Sequence, residues 1–299
     1  MKVLVLAIDG LDYELVNRWD MKIYKQSYYG KSDVRVAVRP GEPLYTPLIW
    51  SSFLLGKPSY LFGLNMKKIR EDRAKILYKK IYPLFKLKKK LFGGKSLHIR
   101  DFLIRIGLAD FDSVVKNLSR IEAIPQNAMK YTFVAEAKNR GYKVFYKDFP
   151  TLKESRYAEM RAIFSKYFTL PFNEKMSKLK EVFDYGSKLL DEVVNAIEGH
   201  DLLLYYTSLI DYAQHMLYKP KNFKYIAALY STYKKLANLI AESIPSRSDL
   251  CILMLSDHGF DPINQTHSDY GFWSMNVKPP KKPKTILDFK DIILELLSI

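Results

Sequence analysis

Apolar residues run along this chain in two patterns. Residues 3–8 (VLVLAI), 201–207 (DLLLYYT) and 250–255 (LCILML) are short and almost continuously apolar, as strands covered on both faces are. Between them lie longer segments with helical spacing. These predict helices near Tyr13–Asp20, Ala128–Arg140, 175–198, 222–243 and 286–298. Gly141 and Gly199 follow two of them, Pro245 stops a third, and Thr285 or Asp288 can cap the last. Pro47–Leu55 follows a polar turn and reads as a helix with Pro47 at its first position. Further strands are expected near Val34–Val38 and at 142–146. Strands alternating with helices of this length predict an α/β fold, a doubly wound, mainly parallel sheet with helices on both faces. One domain spanning 1–299 is expected, and no internal repeat is visible.

Residues 66–120 break this rhythm. They carry long side chains, a Gly93-Gly94 breaker and a dense run of cations, and read as a helical insertion or cap. The formal net charge of the chain is +16, and Lys67–Arg100 holds 13 Lys/Arg against Glu71 and Asp72. The remainder of the chain is close to ordinary for a domain of this size. Within the segment, cations alternate with Ile, Leu, Tyr and Phe. One reading is a solvated cap helix whose apolar face packs on the main domain. The other is an amphipathic basic surface that recruits an anionic membrane or a nucleic acid, with Lys79, Lys80, Lys88, Lys89 and Lys90 as contacts.

Hydrophobic residues at 48% and charged residues at 27% suit a globular, foldable chain rather than a disordered one. The single cysteine, Cys251, lies in an apolar run and has no partner for an internal disulfide, which fits a reducing compartment. No apolar run approaches the ~18–20 residues of a membrane span. The N-terminal MKVLVLAIDG runs straight into Asp9-Gly10 without a cleavage site, so it reads as a strand and not as a signal peptide. A cytoplasmic location is expected, peripheral at the membrane if the basic segment meets lipid. No obligate protein partner is inferred.

The candidate chemistry sits where the predicted strands end, the edge at which open α/β sheets place their sites. Asp9 ends the first strand. Asp211 and His215 follow strand 201–207, Asp257 and His258 follow strand 250–255, and His267 lies a short loop beyond. Each has an ordinary explanation when taken alone. Asp9 could be a helix cap, Asp211 and His215 at i, i+4 could be a surface pair, and His267 a polar loop residue. Together, three of the chain's five histidines fall at one edge beside three aspartates, which points to a metal site. Thr46, before Pro47 at a helix start, could be an N-cap. It could equally be a reactive hydroxyl, because a bound metal and a helix N-terminus both favour an alkoxide facing a phosphate.

The segments IDGLD at 8–12, TPLIWSSFLLGKPS at 46–59, DYAQH at 211–215, SDHGF at 256–260 and HSDYGFW at 267–273 resemble, in order, the motifs of the alkaline phosphatase superfamily. The nearer resemblance is to its type I phosphodiesterase/nucleotide pyrophosphatase branch, particularly the small prokaryotic members. It spans nearly the whole chain but not residues 66–120. The resemblance implies two divalent metals, zinc or alternatively manganese, with Asp9, Thr46, Asp257 and His258 on one and Asp211, His215 and His267 on the other. It also implies in-line attack by Thr46 on a phosphate ester or nucleotide and a phosphothreonine intermediate. The chain departs from the family's pattern at Phe62-Gly63, where family members often have His-Gly. Just beyond, Asn65 is a candidate donor to a phosphoryl oxygen. The sulfatase and phosphoglycerate mutase branches fit less well, since the first needs a C/S-x-P-x-R pattern that is absent and the second a serine and a much longer insertion. A phosphomonoesterase or phosphomutase on the same site remains an alternative, as does an inactive polyanion-binding relative.

Overall fold

The computed structural model describes residues 1–92, 100–152 and 155–299. Strand β1 (Lys2–Ile8) leads into helix α1 (Tyr13–Arg18), whose cap is Asp12, its Oδ1 accepting from Leu15 N at 2.8 Å. Strand β2 is Tyr28–Asp33. The strand expected at Val34–Val38 is instead a single 3-10 turn, Arg35–Ala37. The apolarity of Val34, Ala37 and Val38 serves burial in the core and not a ladder, while Asp33 turns the chain by accepting from Arg35 N at 2.7 Å.

Helix α2 (Thr46–Leu55) is buried along its whole length and ends at Gly56, which adopts φ +63°. The basic region is helical, as expected: α3 (Met66–Leu77), α4 (Tyr82–Phe92), α5 (Arg100–Arg105) and α6 (Phe111–Glu122). The Gly93-Gly94 breaker falls outside the described residues. The helix expected at Ala128–Arg140 is shorter. A 3-10 turn, Met129–Tyr131, comes first, and Thr132 then caps α7 (Phe133–Asn139) by accepting from Ala135 N.

The alternation that follows keeps the expected β3 (Val144–Tyr146), α9 (Phe172–Asn195), β4 (Leu202–Thr207), α11 (Phe223–Ser243) and β5 (Leu250–Leu255), and adds two helices that were not expected, α8 (Arg156–Phe164) before α9 and α10 (Leu209–Leu217) after β4. A small hairpin, β6 (Phe260–Asp261) and β7 (Thr266–His267), precedes β8 (Tyr270–Met275). The last helix, α12 (Phe289–Leu297), is entered through a turn in which Asp288 accepts from Thr285 N at 2.8 Å.

The main sheet has the order β2-β8-β5-β1-β4-β3. Strands β5, β1, β4 and β3 are parallel, while β8 runs antiparallel to both β5 and β2. The register brings the ends of the central strands level, with Ile8 opposite Thr207 and Ala7 opposite Leu255. The residues that follow these strands therefore meet at one edge. Cys251 lies fully buried in β5, its thiol pushed up to about 12 by burial, as expected of an inert packing residue. Among the described residues no helix is long and apolar enough to cross a membrane.

Candidate metal centre

Six of the residues singled out at the sheet edge converge. Asp9 follows β1, Asp211 and His215 lie one turn apart on α10, Asp257 and His258 follow β5, and His267 ends β7. His258 Nε2 stands 3.2 Å from Asp9 Oδ1, 3.5 Å from Asp257 Oδ2 and 3.9 Å from Asp211 Oδ1. Asp211 Oδ1 is also 3.2 Å from His215 Nε2 and 3.9 Å from His267 Nε2. The His258 and His267 rings stack with centroids 3.6 Å apart.

Two overlapping triads result, Asp211 with His215 and His267, and Asp9 with Asp211 and His258; within each, the donor atoms lie within 4.8 Å of one another. The first triad brings together the three residues that the resemblance implies for one metal. The second differs in drawing on Asp211, which thus belongs to both, while Asp257 sits against it through His258.

The fit of these residues to cations can be judged from their hydrogen bonds. Asp9 Oδ1, Asp211 Oδ1, Asp257 Oδ2 and His258 Nε2 are all buried without a hydrogen-bond partner. Buried polar atoms are normally paired, and leaving one unpaired costs about 1–3 kcal/mol. Four such atoms, three of them carboxylate oxygens, lie around His258 and are of the kind that can hold a divalent metal. His258 is oriented for that role, because its Nδ1 lies 3.0 Å from the Gly259 carbonyl and Nε2 faces the carboxylates.

The electrostatics of the cluster agree. Burial and the neighbouring Asp9 carboxylate push Asp257 well above the usual range. Burial opposes charge on His258, but Asp257 and Asp9 outweigh it and lift the imidazole to about 10. Burial, reinforced by the charge of His258, lowers His267 to about 3. Burial also disfavours charge on Asp211, yet the imidazoles of His215, His258 and His267 hold it well below the carboxylate range. In this arrangement a protonated His258 is the cation at the centre of the carboxylates.

Thr46 is the first helical residue of α2, with Tyr45 as the N-cap, so its hydroxyl is not the capping group. It is buried, with 3% exposure, and makes no side-chain hydrogen bond among the described residues. Trp50, one turn along the same face, packs edge-on against Tyr206 at 5.8 Å. Tyr206 in turn donates to Asp9 Oδ2 at 2.6 Å. Asn65 caps α3, its Oδ1 accepting from Lys68 N at 3.0 Å, which leaves its Nδ2 free to donate. Of the basic contacts, Lys79, Lys80 and Lys90 are exposed, and Lys80 Nζ donates to the Gly107 carbonyl at 2.8 Å. The side chains of Lys88 and Lys89 fall outside the described set.

Several supporting residues were given no role by the sequence, although Gly10 and Asp12 lie within IDGLD and Gln214 within DYAQH. Tyr206 reads as one apolar position of a buried strand. Gln214 Nε2 holds the turn after β1 by donating to the Gly10 carbonyl at 2.8 Å. Asp12 Oδ2 accepts from Phe260 N at 2.9 Å and ties the loop after His258 to the start of α1. Gly10, at φ +71°, leaves no room for a side chain, since a Cβ would lie 2.9 Å from the Asp211 backbone.

Comparison with known proteins accords with this geometry. The family model described as "Type I phosphodiesterase / nucleotide pyrophosphatase" matches residues 113–278, a span holding Asp211, His215, Asp257, His258 and His267, with Asp9 and Thr46 before it. No curated protein matches the chain at a significant level. Twelve chains of solved structure do. One is the PH0037 protein from Pyrococcus horikoshii, which shares 13% identity over 99% of this chain and 96% of its own, at a TM-score of 0.50, a likeness of fold. With more than half of its length matched, the chain belongs to the type I phosphodiesterase/nucleotide pyrophosphatase family of the alkaline phosphatase superfamily.

Proposed function

We propose that this chain is a two-metal phosphoryl-transfer hydrolase, a single catalytic domain that cleaves phosphodiesters or nucleotide pyrophosphates through a phosphothreonine at Thr46. The observation that carries the reading is the set of four buried, unpaired donor atoms on Asp9, Asp211, Asp257 and His258. Zinc, or alternatively manganese, held by the two triads and Asp257 would supply charge neutralisation at phosphorus and lower the pKa of a nearby hydroxyl.

The chain's own residues do the rest. The Thr46 oxygen attacks phosphorus in line, the bond from phosphorus to the leaving oxygen breaks with its electron pair on that oxygen, and the Thr46 proton passes to solvent. Water then attacks the phosphothreonine, and the Thr46 oxygen leaves and regains a proton. Asn65 Nδ2 donates to a non-bridging oxygen. The test is turnover of bis- and mono-p-nitrophenyl phosphate with zinc, manganese and magnesium each supplied. The reading expects kcat/KM for the diester to exceed that for the monoester by at least about tenfold, or ~1.4 kcal/mol at the transition state. The reverse preference would make the protein a phosphomonoesterase.

The basic insertion serves, in the same reading, to recruit a polyanionic surface. Leu84 and Leu87 on α4 are 65% and 53% exposed, and the flanking Lys86 and Lys90 are exposed as well. An apolar pair standing in water among cations suits an anionic lipid interface, which takes up both, better than a nucleic acid, which has no use for the leucines.

A further inference from the structure

The helix that carries Thr46 lacks a cap of its own. Tyr45, its N-cap, is extended at φ −142° and ψ 116°, and its side chain makes no bond to the helix backbone. Serine, threonine, asparagine or aspartate at that place would pin the first turn. Pro47 fixes its own φ but leaves the position of the turn open. The chain reaches Tyr45 through residues 39–43, most of them exposed, with Gly41 at φ +81°. The Tyr45 carbonyl accepts from Leu48 N at 2.8 Å and from Ile49 N at 3.2 Å, so the placing of Tyr45 sets where α2 begins. Helix ends fray unless something holds them.

Here the hold comes from the basic insertion. Glu122 closes α6 and is 2% exposed. Its Oε1 accepts from the Tyr45 hydroxyl and from Arg73 Nη2 of α3, and its Oε2 accepts from Arg161 Nη2 of α8. Arg73 Nη2 donates to the Tyr45 hydroxyl as well. The two guanidiniums also lie over the Tyr45 ring, at 5.5 and 5.8 Å from its centroid. The phenol is thus held by its oxygen and by its ring. Charge-assisted hydrogen bonds are directional and roughly twice as strong as neutral ones, so they fix position as well as burial.

Packing reinforces the hold. A small apolar core, separate from the main one, buries Val38, Leu48, Leu64 and Ile69, and Leu44, Tyr45 and Ile121 pack against it. Leu48 lies in the first turn of α2, Ile69 in α3 and Ile121 in α6. The start of α2 therefore rests on the insertion as well as on the sheet. Anchoring the insertion alone would not need the phenol, because Arg73 and Arg161 already pair with Glu122. The Tyr45 hydroxyl is the member of the cluster that adjoins a residue of the proposed site.

We infer that Tyr45 and Glu122 are positioning residues for Thr46: through the Tyr45 hydroxyl, the insertion fixes the turn on which the attacking oxygen stands. Neither residue touches the substrate. This rests on the reading of Thr46 as nucleophile and makes the insertion part of the catalytic unit. Reacting atoms must stand about 3–3.5 Å apart and aligned, and a misplacement of ~1 Å can cost about 100-fold in rate. Loss of the phenol hydroxyl should therefore slow the attack, while the metals, held at the sheet edge, and the saturation by substrate stay as they are.

The experiment compares wild type, Tyr45→Phe and Thr46→Ala, each metal-loaded and in excess over bis-p-nitrophenyl phosphate, so that release of p-nitrophenolate reports a single turnover. Tyr45→Phe leaves Glu122 paired with both arginines and should fold. Its limiting rate should fall roughly 10- to 100-fold. Its metal equivalents and half-saturating enzyme concentration should match wild type. Glu122→Gln, whose amide oxygen still accepts from Tyr45, should slow the same step by a smaller factor. If Tyr45→Phe does not fold, an unchanged rate in Glu122→Gln overturns the inference. A wild-type rate in Tyr45→Phe, with Thr46→Ala inactive, overturns the inference alone. A slower rate that comes with lost metal or weaker saturation marks a merely structural role and also overturns it. A wild-type rate in Thr46→Ala, or no release by wild type, defeats the nucleophile reading and this inference with it.

Discussion

The Tyr206 hydroxyl donates to Asp9 Oδ2 at 2.6 Å and leaves Asp9 Oδ1 facing His258 Nε2 at 3.2 Å without a hydrogen bond. One oxygen of the carboxylate is fixed and the other is held open. Tyr206 thereby sets which atom of Asp9 is offered to a cation, although it touches no cation itself.

Removing that hydroxyl isolates this effect. Tyr206→Phe keeps the ring that packs against Trp50 and Tyr157. Its affinity for zinc should fall about tenfold or more, the usual result of deleting an outer-sphere partner of a metal ligand. Competition titration with a chromogenic chelator measures it. Affinity equal to wild type would show that Asp9 needs no such orientation.

Metal loading should stabilise the fold and should release protons. Ligand present at about 100 times its Kd contributes ~2.7 kcal/mol, enough to raise Tm by several degrees, and chelation should reverse the rise. Elemental analysis should give about two equivalents per chain. Because Asp211 Oδ1 serves both triads, Asp211→Asn should weaken both equivalents, whereas His267→Ala should weaken one more than the other.

The pH dependence has a definite sign. His258 is held protonated up to about 10 in the metal-free protein, while His267, lowered to about 3, is already neutral at pH 7. A metal must displace the His258 proton but none from His267. Uptake at pH 7 should therefore release about one proton or more, and apparent affinity should rise with pH until His258 titrates. Calorimetry in two buffers of different ionisation enthalpy measures this, and metal uptake without proton release would contradict a protonated His258 in the metal-free protein.

The lipid reading of the insertion separates charge from apolar contact. The wild-type protein should sediment with phosphatidylglycerol-containing vesicles and not with pure phosphatidylcholine. Both Leu84→Asp/Leu87→Asp and Lys86→Glu/Lys90→Glu should weaken that association, the second pair more steeply as salt is raised. Binding to nucleic acid with no vesicle association would assign the surface to the other polyanion, and binding to neither would leave α4 a solvated cap.

The sheet and the six edge residues were legible because they rest on strong local signals. VLVLAI, DLLLYYT and LCILML are buried on both faces, and a parallel register brings their ends level, so Asp9, Asp211 and Asp257 had to be neighbours once the strands were seen. The misplaced elements had weaker patterns. β2 is an edge strand, YYGKSD, with little apolar content, whereas the Val34–Val38 stretch beside it is apolar for core packing. Thr132 interrupts the Ala128–Arg140 helix by capping its backbone, a competition that periodicity does not register. The sharing of Asp211 between triads, the Tyr206 hydroxyl bond and the Arg73–Glu122–Arg161 cluster depend on contacts between residues distant in sequence. No spacing along the chain encodes those contacts.

The central claim is that Thr46 carries the phosphoryl group. Thr46→Ala, metal-loaded and shown by elemental analysis to hold the same equivalents as wild type, should be assayed on bis-p-nitrophenyl phosphate beside Thr46→Ser. The account predicts that Thr46→Ala loses turnover by about a thousandfold or more, ~4 kcal/mol at the transition state, while Thr46→Ser, which keeps a hydroxyl, retains measurable activity. Wild-type turnover in Thr46→Ala with its metals in place would contradict it.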